Sequence, residues 1–229
     1  LEEAGIDPSA DQFVGRSVDG FTAGFPTSLL AGRTALVAVG MNGEPLPIDH
    51  GYPARLIVPG VYGYVSATKW LAEIELTRFD EFDAYWIPRG WSQRAPIKTQ
   101  SRIDTPHAGA AVTVGERRAI AGVAWAMDRR ISAVEVRISP PDRDAGAAAG
   151  TESDPAGSAE GEWQPAVLAD ELNDTTWRQW HLPWTPARAG RYTISVRATD
   201  GTGATQPEER TDVAPDGATG WHTITVTAA

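Results

Sequence analysis

His50 and Arg55 stand five residues apart in the stretch MNGEPLPIDHGYPARLIVPG, residues 41–60. Pro45, Pro47 and Pro53 restrict φ around the histidine and resist helix, so the segment is extended and stiff. Gly51 lets another backbone or a ligand come close. Arg55 brings a planar guanidinium fork that matches a phosphate or a carboxylate. Lys69 follows beyond a loop whose amides, Gly63 to Thr68, are free to point at an anion. Together these residues would cradle a phosphorylated ligand. They also admit a plainer reading, in which His50 is a turn residue and Arg55 pairs with a surface carboxylate such as Asp49. A lone H-x-x-x-x-R does not separate the two.

The composition narrows what the ligand can be. A formal charge of −10 over 229 residues argues against a nucleic-acid or anionic-membrane partner, which needs clustered Lys and Arg. It leaves open a small anion held by a local group of cations. Cysteine is absent, which excludes disulfides, a thiolate metal site and a cysteine nucleophile within this chain. His107, His181 and His222 are scattered, with no metal-ligand spacing. No apolar run approaches the roughly 20 residues of a membrane-spanning helix. No basic start followed by an apolar block marks a signal peptide. The chain begins at Leu1 and reads as a piece of something longer.

The elements that would position these residues fall into two kinds. LEEAGIDP reads as the last turn of a helix closed at Gly5, with Pro8 preventing its resumption. QFVGRSVDGF reads as a short strand and turn. TALVAVGMNG is apolar from Ala35 to Val39 and ends in Asn42-Gly43, a hairpin signal. ARLIVPG reads as a short buried strand and WIPRGW as loop. The spacing of Trp70, Leu71, Ile74 and Leu76 fits helix and strand equally. From about Thr105 the pattern changes to seven strand-like runs: AAVTV, RAIAGVAWAM, SAVEVRIS, WQPAVL, TTWRQWHL, GRYTISVRAT and WHTITVTA. Val134, Val136 and Ile138 alternate with Glu135 and Arg137, the mark of an antiparallel sandwich. Two domains are expected, 1–104 and 105–229. An insertion over 139–161, without large apolar residues, should form a mobile hairpin. Trp180 and Trp184 share one strand face, with Trp177 on the other.

The stretch N-G-x-x-L-P, H-G-x-P-x-R, V-P-G-x-x-G and K-W-L, in that order, resembles the most distinctive motif of the sulfite-oxidase family of molybdopterin enzymes. LEEAGI and SVDGF resemble parts of that family's cofactor domain. The runs from VAWA to GWHTITV resemble its C-terminal dimerisation domain, so the likeness covers essentially the whole chain. It implies an α+β partial molybdopterin-binding domain followed by an all-β immunoglobulin-like sandwich. It implies that His50 and Arg55 contact the pterin and its phosphate, that Asp19 lies on a cofactor-contacting segment, and that Thr68 and Lys69 lie on the loop closing over the phosphate.

The resemblance also implies what this chain lacks. The family's molybdenum-ligand cysteine would lie upstream, so this chain alone should hold no molybdopterin and catalyse nothing. The partners implied are the missing N-terminal half, a second copy through the C-terminal domain, and a small-molecule substrate. The longer protein would face the outside of the cytoplasmic membrane and associate with it. Sulfite oxidases carry an Asp-Tyr pair where this chain has Gly90 and Trp91, and the animal enzymes carry an arginine at Thr223. A substrate other than sulfite is therefore expected, with Arg89 and Trp91 as candidate pocket residues and Arg94 and Lys98 as further cations. The competing expectation is a non-catalytic extracytoplasmic β-sandwich binding module that keeps a degenerate cofactor half.

Overall fold

The computed structural model describes residues 5–32, 34–141 and 161–229. The chain divides into two compact units, residues 1–97 with 211–218, and residues 98–210 with 219–229. The helix end expected over residues 1–4 and most of the insertion expected over 139–161 lie outside the described residues. The protein is largely β.

In the first unit the strands are β1 (Gln12–Ser17), β2 (Thr22–Pro26), β3 (Leu36–Ala38), β4 (Gly40–Met41), β5 (Glu44–Pro45), β6 (Arg55–Ile57) and β7 (Leu71–Thr77). β1 lies between β2 and β7 in an antiparallel sheet. This pairing settles the ambiguous run at Leu71 as a strand. Its backbone groups bond to β1, and Leu71 and Leu76 pack against the core. Arg16 and Glu75 close an ion pair across the same two strands. The core gathers Phe13 and Phe25, stacked at 4.8 Å, with Leu56, Val58, Val61, Val65 and Ala95. The hairpin β4–β5 turns at Asn42 and Gly43, both at positive φ. The apolar run before it forms β3, paired with β6, yet Leu36 and Val37 are half exposed. β6 buries only Leu56 and leaves Ile57 on the surface. WIPRGW contains a 3-10 turn, Ile87–Arg89. The α-helical content among the described residues is one turn, Gly63–Ser66.

The second unit holds β8 (Gln100–Thr105), β9 (Ala111–Val112), β10 (Arg118–Trp125), β11 (Ile131–Ser139), β12 (Trp163–Pro165), β13 (Val167–Leu168), β14 (Arg178–Trp184), β15 (Gly190–Asp200) and β16 (His222–Ala228). They form a four-stranded sheet, β13-β14-β10-β8, and a five-stranded sheet, β12-β11-β15-β16-β9. Pairing is antiparallel except between β16 and β9. One buried cluster draws on both sheets, including Ile120, Val134, Val136, Trp180, Ile194, Val196 and Val226. Trp184 joins it beside Tyr192, while Trp177 is exposed. β8 begins upstream of the boundary expected at 104/105, because its backbone pairs with β10.

His222 ties the two sheets together. Its Nδ1 accepts the amide of Ile103 in β8 at 3.0 Å, so the folded state requires that nitrogen unprotonated. Burial, aided by Arg102 and opposed by Asp104, lowers its pKa. A lowered histidine pKa contributes stability above the unfolded value of about 6.5, and that contribution is lost as pH falls through the folded value. A proton NMR titration should therefore give His222 a midpoint below about 6.5, with thermal stability declining over the same range.

Candidate cofactor site

The proline-rich segment folds as the residue types demand. Pro47 is extended and caps a 3-10 turn, Ile48–His50, which ends at Gly51 in the left-handed region at φ 109°. The end of such a turn leaves carbonyl oxygens without intrahelical partners. Three side chains supply donors, to the Asp49 and His50 carbonyls and to that of Ile48, which also accepts the Gly51 amide at 3.0 Å. Trp70 Nε1 donates to the Ile48 carbonyl at 2.8 Å, Lys69 Nζ to that of Asp49 at 3.0 Å, and Arg55 Nη1 to that of His50 at 3.3 Å. Residues five, 20 and 22 positions from their acceptors thus grip one turn.

Gly51 makes the convergence possible. A Cβ built there would lie 3.0 Å from Lys69 Cα and 3.1 Å from Arg55 Cβ. Gly51→Ala meets both this crowding and an unfavourable φ, and should destabilise the first unit by about 1–2 kcal/mol. The check is chemical denaturation followed by tryptophan fluorescence.

The structure brings four of the five expected cofactor residues to this neighbourhood. His50 and Lys69 are exposed and Arg55 is half-buried. Asp19 sits on the turn between β1 and β2, which is joined to the site by the Val18 amide donating to the Trp70 carbonyl at 3.1 Å. The Phe21 amide donates to the Asp19 carboxylate at 3.0 Å. That bond first, then Ser17 and more weakly the Lys69 charge, holds the carboxyl below its ordinary range. Thr68 is set apart. It is wholly buried, its hydroxyl donates to the Gly15 carbonyl at 3.4 Å, and its amide and carbonyl pair with Leu56. Its polar groups end inside the protein, which leaves its neighbour Lys69 as the exposed donor of the pair.

The donor set suits an anion. Arg55 Nε is buried with no hydrogen-bond partner. An N–H left in that condition is unfavourable, and an anionic acceptor would relieve it. Arg55 and Lys69 both end on backbone carbonyls, not on carboxylates. No cluster of His, Cys, Asp and Glu suited to a metal ion occurs among the described residues.

A band of aromatic rings adjoins the Asp19 turn. Phe21 tilts against Tyr85 at 5.6 Å, Tyr85 meets Trp86 edge-on at 5.2 Å, and Trp91 meets Trp86 at 5.8 Å and Tyr64 at 4.7 Å. Trp91 is half-buried in this packing. Arg89 is exposed, stacks on the Tyr85 ring at 3.7 Å and donates to the Tyr85 carbonyl. Tyr64 lies within hydrogen-bond distance of the Ser92 and Pro215 carbonyls. Burial, with the charges of Asp216 and Tyr62, raises its pKa to about 12. Arg94 lines a separate, mostly apolar cleft of about 290 Å³ between β2 and the Val61–Val65 segment. Thr223 faces Ser195 within the five-stranded sheet, the two hydroxyls 2.9 Å apart. Trp70 is the site residue that residue-by-residue reading missed. Its one signal is its place directly after Lys69.

Residues 1–86 match the family described as oxidoreductase molybdopterin binding domain. The chain is 30% identical over 195 residues to the mitochondrial sulfite oxidase of Mus musculus, an alignment covering 76% of this chain and 32% of that protein. It is 33% identical over 93 residues to the oxidoreductase YuiH of Bacillus subtilis, covering 41% of this chain and 46% of that protein. A 55-residue segment is 50% identical to the nitrate reductase (NADPH) of Fusarium oxysporum, covering 24% of this chain and 6% of that protein. Residues 1–86 thus match a molybdopterin-binding oxidoreductase domain, and the chain is similar to sulfite oxidases over about three quarters of its length. It spans about a third of the length of the mammalian sulfite oxidases it matches.

Proposed function

We propose that this chain is the C-terminal part of a longer molybdopterin-dependent oxidoreductase, and that its first unit holds the phosphate end of the cofactor. The observation that carries this reading is the pair of cations on the 48–50 turn, one of them with a buried N–H that has no acceptor. Arg55 and Lys69 would bind the phosphate, with His50 and Asp19 beside the pterin and Thr68 fixing the backbone that carries Lys69. When bound, the molybdenum–pterin group supplies two-electron oxygen-atom transfer; the protein binds and orients it. The chain has no cysteine. A thiolate ligand must therefore come from elsewhere, and this chain alone is read as inactive.

Further polypeptide seated on the first unit agrees with its surface. Leu36, Val37, Val39, Met41 and Ile48 are all at least 46% exposed, so the first unit presents several large apolar side chains that added polypeptide would cover. The second unit is read as the immunoglobulin-like domain through which two copies associate. The substrate is read as something other than sulfite. Trp91 offers one indole N–H, and Thr223 brings no positive charge. The longer protein is read as extracytoplasmic and membrane-associated; among the described residues no helix is long and apolar enough to cross a membrane.

The test is the protein made with the coding sequence upstream of Leu1. Metal analysis and pterin fluorescence should show molybdenum and a phosphorylated pterin in stoichiometric amounts. Their absence would overturn the enzyme reading and leave a non-catalytic binding module.

A further inference from the structure

Lys69 is exposed, and a lysine ammonium on a four-carbon stem does not hold a position by itself. Here two contacts restrict it. Its Nζ donates to the Asp49 carbonyl at 3.0 Å and lies 4.6 Å from the centre of the Trp70 ring. Trp70 is itself over-determined. It sits in the left-handed region at φ 51°, unusual for a bulky residue. Its amide donates to the Gly51 carbonyl at 3.3 Å, its carbonyl accepts from Val18 at 3.1 Å, and its indole N–H is spent on Ile48. The backbone conformation and these bonds hold the ring face where the ammonium rests.

We infer that Trp70 is a positioning residue, whose indole face presets the Lys69 ammonium for an anion at the 48–50 turn. The inference rests on the phosphate-grip reading above and adds to it a residue that need not touch the anion. A cation on an aromatic face keeps its charge and its remaining N–H donors, so the ring restrains Lys69 without neutralising it. A carboxylate in the same place would pair with the ammonium and compete with the ligand.

The chain has two lysines, Lys69 and Lys98, so lysine-selective carbon-13 labelling gives a spectrum that a single Lys69→Arg variant assigns. The ring current of Trp70 should displace the Lys69 ε-proton resonance upfield of Lys98. Trp70→Leu should abolish the displacement, and Trp70→Phe, which keeps a ring but no indole N–H, should retain most of it. Titration with inorganic pyrophosphate should move Lys69, with affinity about two- to fivefold weaker in Trp70→Leu and near the original in Trp70→Phe. A Lys69 resonance without upfield displacement overturns the positioning role, even where pyrophosphate still moves it. Equal loss in both variants also overturns it, assigning the effect to the Nε1 bond. If pyrophosphate moves neither lysine, the phosphate grip fails, and the inference fails with it.

Discussion

Replacing Arg55 by alanine will leave the longer protein short of cofactor. Arg55 contributes the site's one guanidinium with a buried, unpartnered Nε, and its other contact, to the His50 carbonyl at 3.3 Å, is long. Hydrogen bonds to a charged group contribute about 1.5–3 kcal/mol each, so cofactor affinity should fall about ten- to a hundredfold. Thermal stability without cofactor should move little, because the His50 carbonyl is close to water. Arg55→Lys keeps the charge but not the fork, and should fall between. The measurement is molybdenum and pterin per protein at fixed cofactor supply. Normal loading of the alanine variant would remove Arg55 from the grip.

The largest effect on the second unit should come from Asp200→Ala. Asp200 opens the turn at Gly201, but its carboxylate is a buried hub, its side chain 2% exposed. It accepts from Arg129 Nε at 2.9 Å, from Thr99 Oγ1 at 2.8 Å, and from the Thr202 amide and hydroxyl at 3.0 and 2.6 Å. Burial alone would raise its pKa. The bonds from Thr202, Arg129 and Thr99 outweigh burial and hold the carboxyl well below its ordinary range. Removing one partner of a buried pair destabilises by about 3–5 kcal/mol, a fall in melting temperature of roughly 10–20 °C for a unit of this size. A depressed carboxyl pKa contributes stability above the unfolded value of about 3.9, and loses it as pH falls through the folded value. The wild type should therefore lose stability below about pH 4, while Asp200→Ala should show a flatter acid limb in near-ultraviolet circular dichroism melts. An unchanged melting temperature would show that the Arg129–Asp200 contact contributes nothing net.

Some of this architecture was legible from residue types alone. Alternation identified β11 and β15, because an inward Val134, Val136 or Ile194 must lie on the same face as its second neighbour. Asn42-Gly43 announced its hairpin because few residue pairs accept positive φ in succession. The ordered motif from Met41 to Leu71 carried the resemblance, and with it the proposal that Asp19, His50, Arg55 and Lys69 face the cofactor. Other elements gave no local signal. β8 reads Gln-Ser-Arg-Ile-Asp-Thr and has little apolar pattern of its own; pairing with β10 makes it a strand.

By itself, then, the sequence determined the strand-rich second unit, the stiff Pro-Gly segment and the cations suited to a phosphate, since side-chain period and backbone restriction are properties of neighbouring residues. Tertiary structure alone decided that Leu71–Thr77 extends along β1 and does not coil. It turned Thr68 inward, made Asp200 a hub, and brought Lys69 and Trp70 onto the carbonyls of the 48–50 turn. Those outcomes depend on which distant backbone groups are left needing a partner, and only the folded chain settles that.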